Sequence, residues 1–188
     1  MIVKTTVSLI VVALFYGQGL CAGPPVVGGV LPDFTLSAPK DSGQKSYLGL
    51  SWFGGRFTVP KIRADAVIIE IFSMYCPYCQ AEAPKVNALY ERIEADPALK
   101  GKIKLIGIGV GNSSYEVNVF KERYNVTFPL FPDGDFAIHK LMGEVRTPYF
   151  IGVRIYKNGS HRVFFSKLGA FESVDQFLAQ MVKLSGLR

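Results

Sequence analysis

Residues that hold metal ions are scarce in this sequence. Three cysteines and two histidines occur among 188 residues. A structural zinc ion needs four ligands, usually supplied as two closely spaced pairs. Only Cys76 and Cys79 form such a pair, and His139 and His161 lie far apart. The sequence therefore predicts no metal site.

Clusters of basic residues and low-complexity segments are lacking as well. No two of the 21 lysines and arginines are adjacent, although the formal net charge is +6. Nucleic-acid-binding proteins tend to concentrate basic residues on one element, so no nucleic-acid partner is expected. With 49% hydrophobic and 19% charged residues, the chain is long enough for one domain with a full core and short for two.

The apolar segment near the N-terminus is too short to span a membrane comfortably. Val7–Tyr16 contains ten residues, follows a short basic start and precedes small residues that end at Ala22. This pattern is typical of a secretory signal peptide. We expect residues 1–22 to be a cleaved signal and residues 23–188 to be one mature domain. An uncleaved anchor and lipidation of Cys21 are the alternatives.

An export signal predicts a periplasmic or otherwise extracytoplasmic protein. Removal of the signal would leave Cys76 and Cys79 as the only cysteines of the mature chain. Extracytoplasmic compartments are oxidising, so this pair is able to form a disulfide there. An uncleaved or lipidated form would be tethered to the membrane instead.

Strands and helices alternate through most of the sequence. Apolar runs and alternation predict strands at Leu31–Leu36, Ala66–Phe72, Ile103–Val110, Phe128–Phe131, Tyr149–Tyr156 and Arg162–Ser166. Helices are predicted after Cys76, after the capping residues Ser113 and Ser173, and over Phe136–Met142. Tyr47–Val59 predicts a hairpin that turns at Gly54–Gly55. This order predicts an α/β domain whose mixed central sheet has helices on both faces, with an N-terminal strand and hairpin extension.

The two cysteines lie where a strand ends and a helix begins. Pro77 suits the first position of a helix, because its missing N–H would have no partner there. Cys76 is then the N-cap, and Cys79 follows one turn later. The free N–H groups and the positive end of the helix favour a thiolate at Cys76, and thiolate is the species that attacks disulfides.

An inert disulfide is the main structural alternative for this pair. A bridge that closes so short a loop constrains the unfolded chain very little, so it would stabilise the fold poorly. A zinc site lacks the second pair of ligands. The spacing therefore favours a working redox couple.

Two glutamates flank the pair. Glu70 lies within the apolar run "AVIIEIF", where a charge is costly unless it has a role. It is interpreted as a buried acid of raised pKa that passes a proton to or from Cys79, and an edge position facing water is the alternative. Glu82, three residues after Cys79, is a second catalytic candidate, and an ordinary solvated helix residue is its alternative.

These motifs resemble the thioredoxin superfamily. The acid five residues before "CPYC", the following "EAP" at Glu82–Pro84 and the distant "RTPYF" at Arg146–Phe150 occur in the family's order. Together with "LPDFTL", they resemble the extracytoplasmic TlpA/ResA-like thiol–disulfide oxidoreductases. The resemblance covers about Leu31 to Val182. Tyr75 stands where that family usually has tryptophan.

The resemblance implies roles for particular residues. Cys76 is expected to be the nucleophile, Cys79 the resolving cysteine, Glu70 the buried acid, and Pro148 a cis-proline that faces the disulfide. Thr147 is expected to offer its backbone to an extended substrate segment. The residues expected to contact substrate are Tyr75, Pro77, Tyr78, Thr147 and Pro148.

The implied function is the reduction or exchange of disulfides in exported proteins. It needs no cofactor, and a membrane-bound redox donor or acceptor is the expected partner. The reductive members more often carry residues other than Pro77 and Tyr78 between the two cysteines, so a dithiol oxidase of the DsbA type stays open. A non-catalytic thioredoxin-fold binding module is the third possibility.

Overall fold

The structure is a computed structural model, and it describes residues 23–51 and 55–187. The expected signal peptide at residues 1–22 and the Gly54 position of the expected turn lie outside the described residues. Within the described ranges, no helix is both long and apolar enough to cross a membrane.

Five strands of the described chain form one mixed sheet. They are β3 (Ala66–Phe72), β4 (Ile103–Val110), β5 (Leu130–Asp133), β6 (Tyr149–Ile155) and β7 (His161–Leu168). We number two short N-terminal strands, β1 (Leu36–Ser37) and β2 (Arg56–Phe57), before them. The order across the sheet is β5-β4-β3-β6-β7. β3 pairs parallel with β4 and antiparallel with β6, so it is the central strand.

Helices cover both faces of this sheet, as the sequence predicts. The helices are α1 (Ser42–Leu48), α2 (Pro77–Ala95), α3 (Ser114–Arg123), α4 (Ala137–Leu141) and α5 (Val174–Ser185). Apolar residues of α2, α3 and α5 pack on the face that carries Ile68 and Phe72. The other face, with Ile69 and Ile71, packs against α4 and the N-terminal segment. Every residue of β3 is buried because both of its faces are covered.

The first arm of the hairpin predicted at Tyr47–Val59 is wrong, whereas its second arm contains β2. Tyr47 lies in the last turn of α1, which Asp41 caps by accepting a 2.7 Å hydrogen bond from Gln44 N. Gly49 ends this helix with a positive φ of 66° and lies against Arg63, where a side chain would not fit. The short alternating run fits one helical turn as well as a strand, so periodicity alone could not separate them.

The strand pair of the N-terminal extension has other partners than those predicted. β1 pairs antiparallel with β2, with Leu36 opposite Phe57. Only Leu36 of the predicted strand Leu31–Leu36 lies in β1, although Leu31 and Phe34 are also buried in the core. A 3₁₀ turn at Val59–Lys61 then leads towards β3.

Candidate active site

The start of α2 places Cys76 as predicted. Cys76 is the N-cap residue and Pro77 the first helical residue. The backbone N–H of Cys79 donates to the Cys76 Sγ at 3.3 Å, and the Cys76 thiol lies 3.4 Å from the carbonyl oxygen of Thr147. Cys76 is half-buried, so its sulfur has access to solvent. The Cys76 sulfur therefore accepts a hydrogen bond from the first turn of α2 and keeps partial access to solvent.

The two thiols have opposite environments. Burial by itself raises the pKa of the Cys76 thiol, but hydrogen bonds from Cys79, from the Thr147 side chain and from the Tyr78 backbone outweigh this effect and leave the pKa lowered. Cys79 is completely buried. Its burial and its hydrogen bond with Cys76 raise the pKa of the Cys79 thiol. At neutral pH, Cys76 is thus the sulfur prepared to act as a nucleophile, and Cys79 holds its proton.

The turn that presents Cys76 is held by side chains from two other elements. Cys76 N donates to Ser73 O at 3.1 Å and closes the turn. Met74 N donates to Asn112 Oδ1 at 2.8 Å, and the Gln80 side chain donates to Met74 O at 2.7 Å. Asn112, between β4 and α3, is completely buried. Sequence reasoning missed both side chains.

Glu70 is a buried carboxyl group in the middle of the sheet. It is 3% exposed and lies between Gly107 of β4 and Phe150 of β6. The alternative of an edge position facing water is therefore wrong. Its Oε1 has no hydrogen-bond partner among the described residues. Burial, and then the negative charges of Glu82 and Cys76, raise the pKa of Glu70 to about 8.

Glu82 is also buried, at 2% exposure, so the alternative of a solvated helix residue is wrong. Its Oε1 accepts a 2.9 Å hydrogen bond from Phe171 N, and its Oε2 lies 3.4 Å from Lys85 Nζ. Lys85 in turn donates to Phe171 O at 2.8 Å. Two residues of α2 thus bind both polar backbone groups of Phe171, between β7 and α5.

The residues expected to contact substrate surround Cys76 to different degrees. The Thr147–Pro148 peptide bond is cis, as expected, and the Thr147 carbonyl contacts the Cys76 thiol. Tyr75 and Tyr78 are 65% and 73% exposed. The Tyr75 hydroxyl donates to Glu116 of α3. Pro77 is exposed and Pro148 is buried, so Pro77 is the more accessible of the two prolines.

An open cleft of about 470 Å³ lies beside Cys76. Ser73, Tyr75 and Thr147 line one side of the cleft. The opposite side comes from the segment around α4, which includes Phe136 and His139. Nothing in the local sequence pattern of this segment pointed to the active site, because β5 and α4 reach it only through the order of the strands. Neither in this cleft nor in the rest of the described residues is there a group of three or more histidine, cysteine or acidic side chains that could hold a metal ion.

Comparison with known proteins agrees with this geometry. Residues 27–165 match the AhpC/TSA family. The thiol–disulfide oxidoreductase ResA of Geobacillus kaustophilus is 26% identical over 154 residues, which cover 81% of this chain and 76% of that protein.

Solved structures share the fold at low sequence identity. A secreted disulfide oxidoreductase of Mycobacterium tuberculosis, homologous to Escherichia coli DsbE, superposes with a TM-score of 0.55 at 19% identity, over 80% of this chain and 95% of that one. A thiol:disulfide interchange protein of the thioredoxin family from Chlorobium tepidum superposes with a TM-score of 0.56 at 17% identity, over 86% and 96%. The predicted thioredoxin fold and the predicted enzyme class, thiol–disulfide oxidoreductase, are confirmed. The chain belongs to the AhpC/TSA family, and within it resembles the ResA-like proteins.

Proposed function

We propose that this protein is an exported thiol–disulfide oxidoreductase that reduces or exchanges disulfides in other extracytoplasmic proteins. The observation that carries the proposal is the asymmetry of the cysteine pair. Cys76 is accessible and has a lowered pKa, whereas Cys79 is buried and has a raised pKa. A structural disulfide would not need this difference, but a nucleophile and a resolving thiol do.

The first step is attack on the substrate. The Cys76 thiolate attacks one sulfur of a substrate disulfide, forms a mixed disulfide with it and releases the other substrate sulfur as a thiolate. The cleft beside Cys76 and the Thr147 backbone lie where the substrate chain has to approach. We assign the exposed residues Tyr75, Pro77 and Tyr78 to this contact surface, together with the largely buried Pro148.

The second step resolves the mixed disulfide. Cys79 loses its proton and attacks the Cys76 sulfur, which releases the reduced substrate and leaves the Cys76–Cys79 disulfide. We assign Glu70 as the group that takes this proton, since its pKa of about 8 lies near the working pH. In the mixed disulfide Cys76 carries no negative charge, so one cause of the raised Glu70 pKa is removed. The pKa of Glu70 therefore falls at this step, so a larger fraction of Glu70 is deprotonated and able to take the Cys79 proton.

Glu82 acts in this scheme through Glu70. Its negative charge raises the pKa of Glu70 and so keeps the proton in the buried site. Its bonds to Phe171 and Lys85 hold the carboxylate in place. A redox donor, which we propose to be membrane-bound, has to reduce the Cys76–Cys79 disulfide for the next cycle.

A dithiol oxidase is the second candidate function, and one observation favours it. Hydrogen bonds that stabilise the Cys76 thiolate also stabilise the reduced form, and this makes a disulfide more oxidising. The reduction potential of the Cys76–Cys79 couple decides the direction. A value near about −270 mV indicates a reductase, and a value near about −120 mV indicates an oxidase.

The proposed activity is tested by reduction of a protein disulfide with the purified chain and a dithiol reductant. The wild type should accelerate the reduction, and Cys76→Ser should not. Cys79→Ser should accumulate a mixed disulfide with the substrate, because attack is possible and resolution is not. A Cys76→Ser variant as active as the wild type would refute the proposal, as would binding of substrate without any exchange.

A further inference from the structure

The cleft beside Cys76 has an apolar interior and a charged mouth. Val110 and Val145 line it and are almost completely buried. Phe136 lines it and is 44% exposed, so a large apolar surface faces the open space. Glu144 and Arg146 line the cleft from exposed positions and carry opposite charges. The cleft therefore offers contacts for an apolar side chain. The charges of Glu144 and Arg146 cancel, so these two residues give the mouth of the cleft no net charge.

Phe136 has an unusual backbone conformation. Its φ is 60° and its ψ is 18°, the left-handed region that bulky residues rarely adopt. Its ring lies over Gly111, where an added Cβ would come within 2.5 Å of the ring. Such conformations cost free energy and are concentrated where proteins bind ligands. The backbone of Phe136 thus adopts an unfavourable conformation, and in this conformation its ring lines the cleft.

The segment that carries Phe136 is held firmly. Asp133, almost completely buried, accepts hydrogen bonds from Ile138 N at 2.9 Å and His139 N at 2.8 Å. The His139 ring bonds to Val145 O at 2.9 Å and joins the two ends of the segment. This side of the cleft is therefore preorganised, which reduces the entropic cost of binding.

We propose that the cleft selects substrates whose reactive cysteine is flanked by a large apolar residue, and that Phe136 is the specificity-determining residue. This proposal rests on the proposed function and names the class of substrate for the same site. The occupant is an extended polypeptide segment. Its disulfide meets Cys76, and its neighbouring side chain enters the cleft between Tyr75 and Phe136.

Position and size support this occupant. Thr147 touches the Cys76 thiol and also lines the cleft, so the cleft adjoins the atom to which the substrate is bonded. A volume of about 470 Å³ accommodates one aromatic side chain with room for its backbone. An acidic or small residue would leave the exposed surface of Phe136 in contact with water and would gain little from the cleft.

The test compares short peptides whose cysteine forms a mixed disulfide with thionitrobenzoate. The cysteine is flanked on both sides by phenylalanine, serine or aspartate. Each peptide is mixed with pre-reduced protein, and release of thionitrobenzoate is followed in a single turnover. The products are thionitrobenzoate, the peptide thiol and the Cys76–Cys79 disulfide. We expect the phenylalanine peptide to react about ten- to one-hundred-fold faster than the serine peptide, from the burial of one aromatic side chain.

Phe136→Asn removes the ring with a residue that tolerates the left-handed conformation, and Phe136→Gly is a second variant suited to the same φ. Both should reduce the preference for phenylalanine over serine to within about threefold, mainly by slowing the reaction of the phenylalanine peptide. The symmetrical thionitrobenzoate disulfide serves as a peptide-free substrate for the wild-type protein. Tyr156→Asn is the matched control, because Tyr156 is 42% exposed and is not among the residues that line the cleft. It should keep the full preference.

The possible failures are distinguishable. Equal rates for the three peptides, or an unchanged preference in both Phe136 variants, would overturn the specificity proposal and leave the redox function standing. A wild-type protein that reacts with neither the peptides nor the symmetrical disulfide would overturn the proposed function itself.

Discussion

The backbone N–H of Phe171 donates a 2.9 Å hydrogen bond to the buried carboxylate of Glu82, although 89 positions separate the two residues. The Phe171 ring stacks on Phe177 with 4.3 Å between centroids and contacts Phe150 edge to face. Phe150 lies directly opposite Glu70 across the sheet. The Glu82–Phe171 bond therefore closes the apolar layer that surrounds the proposed proton acceptor.

Variants of Glu82 should separate its charge from its structural role. Glu82→Gln can keep an acceptor for Phe171 N but removes the negative charge, so the pKa of Glu70 should fall. Glu82→Ala leaves the buried Phe171 N–H without a partner and should lower the free energy of unfolding by about 1–3 kcal/mol. The pKa of Glu70 is measurable from its carboxyl signal by NMR, and stability from urea unfolding. An unchanged Glu70 pKa in the glutamine variant would show that the two carboxyl groups are independent.

Glu70 should make the stability of the reduced protein depend on pH in an identifiable window. Between about pH 4.5 and 8 the folded protein keeps a proton on Glu70 that the unfolded chain has released, since burial raises the pKa from 4.5 to about 8. The free energy of unfolding should therefore fall as pH rises through this window. Each unit of pKa difference corresponds to about 1.4 kcal/mol, so the full loss is a few kcal/mol.

Glu70→Gln should remove this dependence. The variant should be more stable than the wild type at pH 8 and differ little below pH 4.5, with the pH limits taken from the two pKa values of Glu70. Its resolution of the mixed disulfide should be about a hundredfold slower at neutral pH, because glutamine cannot accept the Cys79 proton. Attack by Cys76 should change much less. Stopped-flow kinetics with a model disulfide separate the two steps, and normal resolution in the variant would make Glu70 a bystander.

Alkylation should distinguish the two thiols. At mildly acidic pH, iodoacetamide should label Cys76 alone, because the pKa of this thiol is lowered and its sulfur is accessible. Cys79 is buried, and its pKa is raised. Peptide mapping by mass spectrometry after brief exposure measures both sites. Equal labelling of the two cysteines in the folded protein would contradict the assigned roles.

Asn112→Ala should change the pKa of Cys76 although Asn112 bonds to Met74 and not to the sulfur. The substitution leaves Met74 N without its acceptor, so the turn from Ser73 to Cys76 should loosen and the sulfur should align less well with the amides of α2. The Cys76 pKa should rise towards its ordinary value, and stability should fall by about 1–2 kcal/mol. The pH dependence of thiolate absorbance is the measurement. Asn118→Ala, on the exposed side of α3, is the control, and a Cys76 pKa equal in both variants would exclude a positioning role for Asn112.

Processing of the N-terminus tests the proposed location. If residues 1–22 are a cleaved signal, the intact mass of protein recovered from an extracytoplasmic fraction should correspond to a chain that starts near Gly23. A diacylglyceryl increment on Cys21 would indicate a lipid-tethered protein. Full-length protein in the cytoplasm alone would refute export.

Local sequence was sufficient to predict the position of the cysteine pair at the start of a helix and the positions of the central strands and helices. The apolar run of β3, the Cys-Pro start of α2 and the Ser113–Glu116 capping box each depend on residues within a few positions of one another, and all three are present in the structure. Helix periodicity and N-cap chemistry act over one or two turns, so they are readable from a single sequence. The alternating order of strands and helices followed from these local patterns, and the resemblance to thioredoxins followed from the motifs around the cysteines.

The tertiary structure decided which side chains surround the sulfurs. Whether Glu82 was solvated or buried depended on Phe171, which follows β6 and β7 in the chain and binds Glu82 in the folded protein. Asn112 and Phe136 reach the active site because β4 and β5 end at the same edge as β3. The hairpin predicted around Tyr47 failed for the same reason, since a short alternating segment takes the conformation that its distant neighbours allow. Burial, and the pKa shifts that follow from it, arise from contacts between residues far apart in the chain, and no local pattern contains them.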